Sequence, residues 1–227
     1  KVTFMKVVAV IPVRKGSERV ISKNTKPFAD TTLLDLKLEV MKQVKGLDNL
    51  IVNTDCDICI DIAKNHGVEI HRRDDYFASS LANNREHWTN LAEVTDTDIL
   101  MMCQCTNPMV TVTTHEQALT DYLASIDQYN SAISVSAQKK FLWQDGSPIN
   151  YDFNKTPKSQ NLPDIVSLNF AITISNKQEM FKTGNVISAN PKFIELDRVQ
   201  SLDVDWPIDF EFAEYVYKKH GLDWLSS

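Results

Sequence analysis

No stretch of this chain holds the roughly 18 consecutive apolar residues that a membrane-spanning helix needs, and no secretory leader pattern opens it. Positive charge is scarce as well: 24 Lys and Arg stand against 30 Asp and Glu, a formal net charge of -6. Without a broad positive field, general affinity for nucleic acid or for an anionic membrane surface is excluded. Cysteine is limited to Cys56, Cys59, Cys103 and Cys105. The first two have a C-x-x-C spacing, which suits a redox or zinc pair. They lie, however, where an apolar strand gives way to a helix, and four buried thiols acting as small hydrophobes is the stronger reading. Free thiols suit a reducing cytoplasm. Internal repeats, low-complexity tracts and a disordered tail are missing too.

What the chain does have is a β–α rhythm. With 227 residues, 43% of them hydrophobic, it can bury the core of one large α/β domain. The run Val7–Val13 is β-branched and almost unbroken in apolar character, as a strand buried on both faces requires. The pattern then predicts a helix near 33–44, a strand at 50–53, a helix over Asp57–Asn65 and a strand at 68–71. A helix at 78–93 and a strand at 98–103 follow. Thr113 or Thr114 is the expected cap of a helix running to about 126, before a strand at 131–135. This alternation predicts a doubly wound α/β fold whose mostly parallel sheet is covered on both faces and binds its ligand outside the strand carboxyl ends. After Ser136 the pattern breaks. Residues 139–168 read as an inserted segment, rich in Pro, Asn, Asp and aromatics over most of its length. A strand at 169–174, a helix from about 175 and a final helix at 207–219 complete the expected order.

The loop after the first strand is the electrostatic anomaly. From Arg14 to Lys26, five cations (Arg14, Lys15, Arg19, Lys23, Lys26) accompany the single carboxylate of Glu18 in a chain that is negative overall. Gly16 and Ser17 can offer backbone N–H groups, while Arg and Lys supply forked donors and point charges, so the loop suits a triphosphate. Near the other end, Leu202-Asp203-Val204-Asp205 alternates so that Asp203 and Asp205 share one side of an extended segment. Such a pair can hold Mg²⁺ while phosphate oxygens complete its shell. It can equally be two loop-end carboxylates, one of them capping the helix that starts near Pro207.

The segment Ile11-Pro12-Val13-Arg14-Lys15-Gly16-Ser17-Glu18-Arg19 with Lys23-Asn24 resembles the opening signature of cytidylyltransferases that activate 2-keto-3-deoxy sugar acids. The CMP-sialic acid synthetases (acylneuraminate cytidylyltransferases) and their legionaminic and pseudaminic acid relatives are the most similar group. Further matches follow in order: Ile51-Val52-Asn53-Thr54-Asp55, Gly67-Val68-Glu69-Ile70-His71-Arg72-Arg73, Gln104-Cys105-Thr106-Asn107-Pro108, and Leu202-Asp203-Val204-Asp205 with Asp209. The resemblance implies a Rossmann-like nucleotidyltransferase domain over residues 1–227 and Mg²⁺-dependent transfer of CMP from CTP to a sugar acid, releasing pyrophosphate. It implies that Arg14, Lys23, Asp203 and Asp205 are catalytic, the two aspartates holding the metal. Arg14, Lys15, Gly16, Ser17, Lys23, Asn24, Arg73 and Gln104 would bind the nucleotide. Gln104, Lys139, Lys140, Lys158, Asn169 and Phe170 would face the anionic acceptor. It also implies a homodimer whose inserted segment reaches the neighbour.

Departures from the family pattern fall mostly on the acceptor side. Phe170 stands where the family has the glycine of Asn-Gly-Ala, and Lys158-Ser159 replaces an expected arginine; a lysine restores charge but not a bidentate clamp. Of Trp88, Trp143, Trp206 and Trp224, Trp143 is the candidate for a ligand platform, beside Phe141 and Tyr151, although a packing residue of a dimer interface is its stronger reading. His66, His115 and His220 are expected at helix ends as caps or exposed side chains, and His71 either reaches the nucleotide edge or belongs to a polar loop at a strand end.

Overall fold

The computed structural model describes residues 5–17 and 19–221. Glu18 of the basic loop and Trp224 therefore lie outside the described residues. The main elements are β1 (Val7–Val13), α1 (Leu33–Met41), β2 (Asn49–Thr54), α2 (Asp57–Asn65), β3 (Glu69–Arg72), α3 (Asp75–Ala78) and α4 (Asn84–Val94). They continue with β4 (Ile99–Cys103), α5 (Val112–Leu123), β5 (Ser131–Gln138), β6 (Ile165–Asn176), α6 (Lys177–Thr183), β7 (Pro191–Glu195) and α7 (Pro207–His220). Seven strands form one sheet in the order β7-β5-β6-β4-β1-β2-β3. Within it β6 runs antiparallel to both neighbours, and the other strands share one direction.

Strand β1 is buried on both faces because its side chains feed two cores. Val7, Ala9, Ile11 and Val13 join one core with α1, α2, α5 and α7, while Val8 and Val10 join Leu91, Ala92 and Met180 on the opposite face. The expected doubly wound, mostly parallel architecture is thus borne out. Strand β1 pairs with β4 only over Val7–Val10 but with β2 as far as Val13. Pro12 has no N–H with which to extend a ladder, and here the strand order changes direction. The carboxyl ends of β1 and β4 consequently part and leave a crevice, the position at which such sheets take ligands.

Several local expectations are corrected. The helix expected at 78–93 starts only at Asn84, because Asn83 caps α4 in a capping box with Glu86; the short α3 ends at Ala78, where the helix was expected to begin. The cap of α5 is Thr111, whose side-chain oxygen accepts from the Thr114 N–H, and not Thr113 or Thr114. Strand β6 is longer than expected and runs to Asn176, which itself caps α6. It also begins at Ile165, opposite Gln138, so the last residues of the segment 139–168 belong to the sheet. The edge strand β7, beside β5, has no counterpart in the sequence reading.

Two histidines link the fold to pH. His115 is fully buried, not exposed at a helix end; burial pushes its pKa down to about 3, with nearby Lys37 adding to the effect. Burial, with Arg73 close by, pushes His87 down to about 4. Both rings are neutral in the fold, so as pH falls below the ordinary value of 6.5 the unfolded chain takes up protons first. Stability measured by urea unfolding should therefore decline from about pH 6.5 towards pH 4, by up to about 1.4 kcal/mol per pH unit for each ring. A profile flat over that window would show that the rings protonate freely in the folded protein.

Candidate active site

The crevice between β1 and β4 is a cleft of about 340 Å³, lined by Pro12, Arg14, Ser17, Arg19, Lys23, Arg73, His87, Trp88, Gln104 and Thr106. Five parts of the fold build it: the end of β1, the basic loop, the end of β3, helix α4 and the turn after β4. A smaller depression of about 220 Å³ shares Arg14 and Lys23 and adds Lys15, Asn24, Cys56 and Cys59. Gly16 is exposed in the same loop. The loop is tied down at Lys15, whose N–H donates to the Asp55 carboxylate at 2.8 Å.

Cations from the first loop meet the carboxylate segment at the edge of this cleft. The Lys23 ammonium donates to the Val204 carbonyl and lies 3.8 Å from the Asp205 carboxylate. Arg19 donates to the same carboxylate at 2.8 Å and lies over the Trp206 ring. Asp209 accepts from the N–H groups of Asp205 and Trp206, fixing the backbone just before α7. The helix is anchored in turn against the far end of the loop, where Phe28 meets Phe210 edge-on at 5.3 Å. Chain ends about 180 residues apart are thus packed into one corner.

The turn Gln104-Cys105-Thr106-Asn107-Pro108 supplies the third side. Thr106 accepts from the Val204 N–H at 2.8 Å through its carbonyl, and its side chain hydrogen-bonds the Asp203 carboxyl. Asn107 donates to the Leu202 carbonyl at 3.1 Å. Asp203 opens to solvent on one side, yet the protein around it removes enough water to raise its pKa; Asp205 and Asp209 add to the rise, and Thr106 and Lys23 oppose it. Lys23 shows the complementary effect. Its side chain is 13% exposed, and burial lowers its pKa against the opposing pull of Asp205 and Asp203.

Arg73 lines the other side of the cleft from a buried position. Its guanidinium donates to the Asn53 side chain and, at 2.9 Å, to the Asn53 carbonyl. Burial brings its pKa down to about 10, with Asp55 opposing and Arg14 assisting the shift. Asn53 also bonds His71, which does not line the cleft.

The expected acceptor residues are placed less uniformly. Gln104 lines the cleft. Lys139 is bonded to Leu162 O and paired with Asp164, closing the base of the insert. Lys140 and Lys158 are exposed on the insert and do not line this cleft. In β6, residues 169–172 stand opposite the single residue Ser134 of β5, a large bulge. Asn169 holds the bulge together: it accepts from Ser134 and from the Ala171 N–H and donates to Ser136. Phe170, at its crest, has φ +55, a conformation natural to the glycine it replaces and costing a bulky residue about 1–2 kcal/mol. The Gln104 N–H donates to Ala171 O at 3.3 Å, so this strained bulge abuts the cleft-lining turn.

The aromatic side chain in the cleft is Trp88, its ring centroid 4.5 Å from that of His87 and tilted 57° to it; Trp143 does not line the cleft. Trp143 instead packs with Tyr151 and Phe153 on the insert. His87 and Trp88 were missed because the polar helix α4 offers no sequence signal that distinguishes a cleft-facing ring from a packing one. The four cysteines are free and buried, and burial pushes Cys103 and Cys105 up to about 12, as expected of thiols acting as core side chains.

A cytidylyltransferase family model matches residues 8–222. The chain belongs to the cytidylyltransferase family. Among curated relatives it is 28% identical over 222 residues to the N-acylneuraminate cytidylyltransferase of Escherichia coli O18:K1:H7, covering 94% of this chain and 52% of that protein. It is 25% identical over 226 residues to the enzyme of that name from Oncorhynchus mykiss, covering 95% and 51%. The chain spans about half the length of these curated relatives. Similar folds occur in a CMP:2-keto-3-deoxy-manno-octonic acid synthetase solved with CTP (TM-score 0.69, 17% identity, 94% of this chain and 99% of that one). A cytidylyltransferase from Leptospira borgpetersenii is similar as well (TM-score 0.60, 20% identity, 95% and 88%). No described helix is long and apolar enough to cross a membrane.

Proposed function

We propose that this cytidylyltransferase transfers CMP from CTP to the anomeric hydroxyl of a sialic acid-like 2-keto-3-deoxy sugar acid. The observation that carries the reading is the meeting of Arg19 and Lys23 with the Asp205 segment at the edge of one cleft. In the transfer, the acceptor hydroxyl oxygen bonds to the α-phosphorus and gives up its proton to solvent, the bond to the bridging α–β oxygen breaks, and pyrophosphate leaves with the electron pair. Two anions have to be brought together, so the protein's task is orientation and charge neutralisation and not covalent catalysis. Arg14, Ser17, Arg19 and Lys23 are assigned to the triphosphate, and Arg73 and Gln104 to the nucleotide across the cleft. Trp88 offers a flat wall for a base or sugar ring.

Asp203 and Asp205 are assigned to Mg²⁺. The donor chemistry fits, since both are hard oxygen ligands; no group of three or more His, Cys, Asp or Glu side chains suited to a metal occurs among the described residues, so substrate oxygens would have to supply the rest of the shell. Two carboxylates with phosphate oxygens and water complete a shell that Mg²⁺ accepts. When bound, the ion would neutralise charge building on the leaving phosphate. The exposed rings of Phe141, Trp143 and Phe153 fit a contact with a second copy of the chain, which sedimentation reads as a dimer mass. The free cysteines suit a reducing cytoplasm.

Pyrophosphate release is the test, with CTP, Mg²⁺ and a panel of 2-keto-3-deoxy sugar acids, and with ATP, GTP and UTP as competitors. Release with CTP and at least one sugar acid is expected. Folded protein that binds CTP yet releases nothing with any acceptor would overturn the catalytic reading. Equal turnover of the other nucleotides would overturn the choice of base.

A further inference from the structure

We propose that Lys37, a core residue of α1 that does not line the cleft, is a positioning residue that holds the Asp203/Asp205 segment in place. The inference rests on the roles given to those aspartates above. Seven of the nine residues of α1 are buried, Lys37 among them at 1% exposure, where an apolar side chain would be the ordinary choice. A buried ammonium is costly unless compensated, and the titratable groups around Lys37 are the thiols of Cys103 and Cys105 and the buried ring of His115, with no carboxylate. What it does have is one directed bond: its Nζ donates to the Asn107 carbonyl at 3.1 Å.

From that carbonyl a continuous path leads to the active-site edge. Asn107, itself fully buried, donates through its side chain to Leu202 O at 3.1 Å. The adjoining Thr106 accepts from the Val204 N–H and bonds the Asp203 carboxyl. Lys23 grips Val204 O from the opposite side. The segment 202–205 is thus held between two lysines, one facing the cleft and one behind the turn. A cation that is expensive to bury and touches no ligand fits a tether for that turn.

The test replaces Lys37 by methionine, similar in length and apolar, and reads three quantities: hydrogen exchange at the Val204 amide, thermal midpoint, and kinetics. Exchange at Val204 should accelerate at least about tenfold while the midpoint is unchanged or higher, since an uncompensated buried cation is often replaced without loss. Turnover should fall about 10–100-fold with KM for CTP within about threefold, because small misplacement of reacting groups acts on kcat. Unchanged exchange at Val204 overturns the proposal, as does a loss of turnover that only tracks a lowered midpoint. Should Lys37→Met fail to fold, Lys37→Gln keeps an N–H donor one atom shorter. It should hold Val204 exchange within about threefold of the parent, and acceleration as large as ten-fold would count against the tether. Exchange is read without substrate. An inactive parent protein with accelerated exchange in the variant therefore refutes the proposed activity and leaves the tether standing.

Discussion

Lys23→Met is expected to lower kcat/KM for CMP transfer by about 10²–10³-fold, a loss of about 3–4 kcal/mol of transition-state stabilisation. The size follows from the setting. Arg14, Lys15 and Arg19 are exposed and their charge is screened by water, whereas the Lys23 ammonium is mostly enclosed. Its partners are a neutral carbonyl and a carboxylate 3.8 Å away, so it retains donor capacity for a phosphate oxygen. Arginine at this position should rescue little, because a planar guanidinium cannot occupy a corner shaped around a compact ammonium. Activity also carries a pH signature. Burial lowers the Lys23 pKa, so activity that needs its charge should fall on an alkaline limb below the ordinary lysine value of 10.5. Steady-state rates across that range test both points; a limb that persists unchanged in Lys23→Met would assign it to another group.

The structure explains which parts of this site could be read from the chain. A strand buried on both faces shows itself by composition, and β1 was legible for that reason, as was the loop whose charge runs against the rest of the protein. The meeting of that loop with Asp205 was legible only through the resemblance, since no local pattern links residues so distant in sequence. Arg73 ends a strand and could be placed by its match, but its buried fork on Asn53 depends on the packing of β2 against β3. His87 and Trp88 stayed hidden because they arrive from α4, a helix with only Leu91 and Ala92 buried, whose facing is set by α6 and the sheet. Lys139 was misjudged for a related reason. Its charge was counted, but Asp164 and Leu162 O, which consume it, lie across the base of the insert. Charge is visible in a sequence; whether a charge is already satisfied is a property of the fold.

Asp203→Asn and Asp205→Asn should each reduce transfer by at least about 10²-fold, and the pair of variants separates catalytic from structural roles. Ionised Asp203 is disfavoured in the fold by lost hydration and by its acidic neighbours, which is why its pKa is raised. With a folded value above 3.8, the stabilising balance is present at low pH and is lost as pH rises through the folded pKa. At neutral pH the carboxylate therefore weakens the fold, and an uncharged asparagine of the same shape should leave the thermal midpoint equal or higher. Asp205 differs because it accepts from Arg19 in a half-exposed pair, and such pairs contribute only about 0–1 kcal/mol. Its variant should lose little stability while losing as much activity. Calorimetry at pH 7 beside pyrophosphate release reads both quantities. Activity lost without stability means that both carboxylates serve the reaction and not the fold, Asp203 at an energetic disadvantage. Activity retained in either variant would show that the charge at that position is not used.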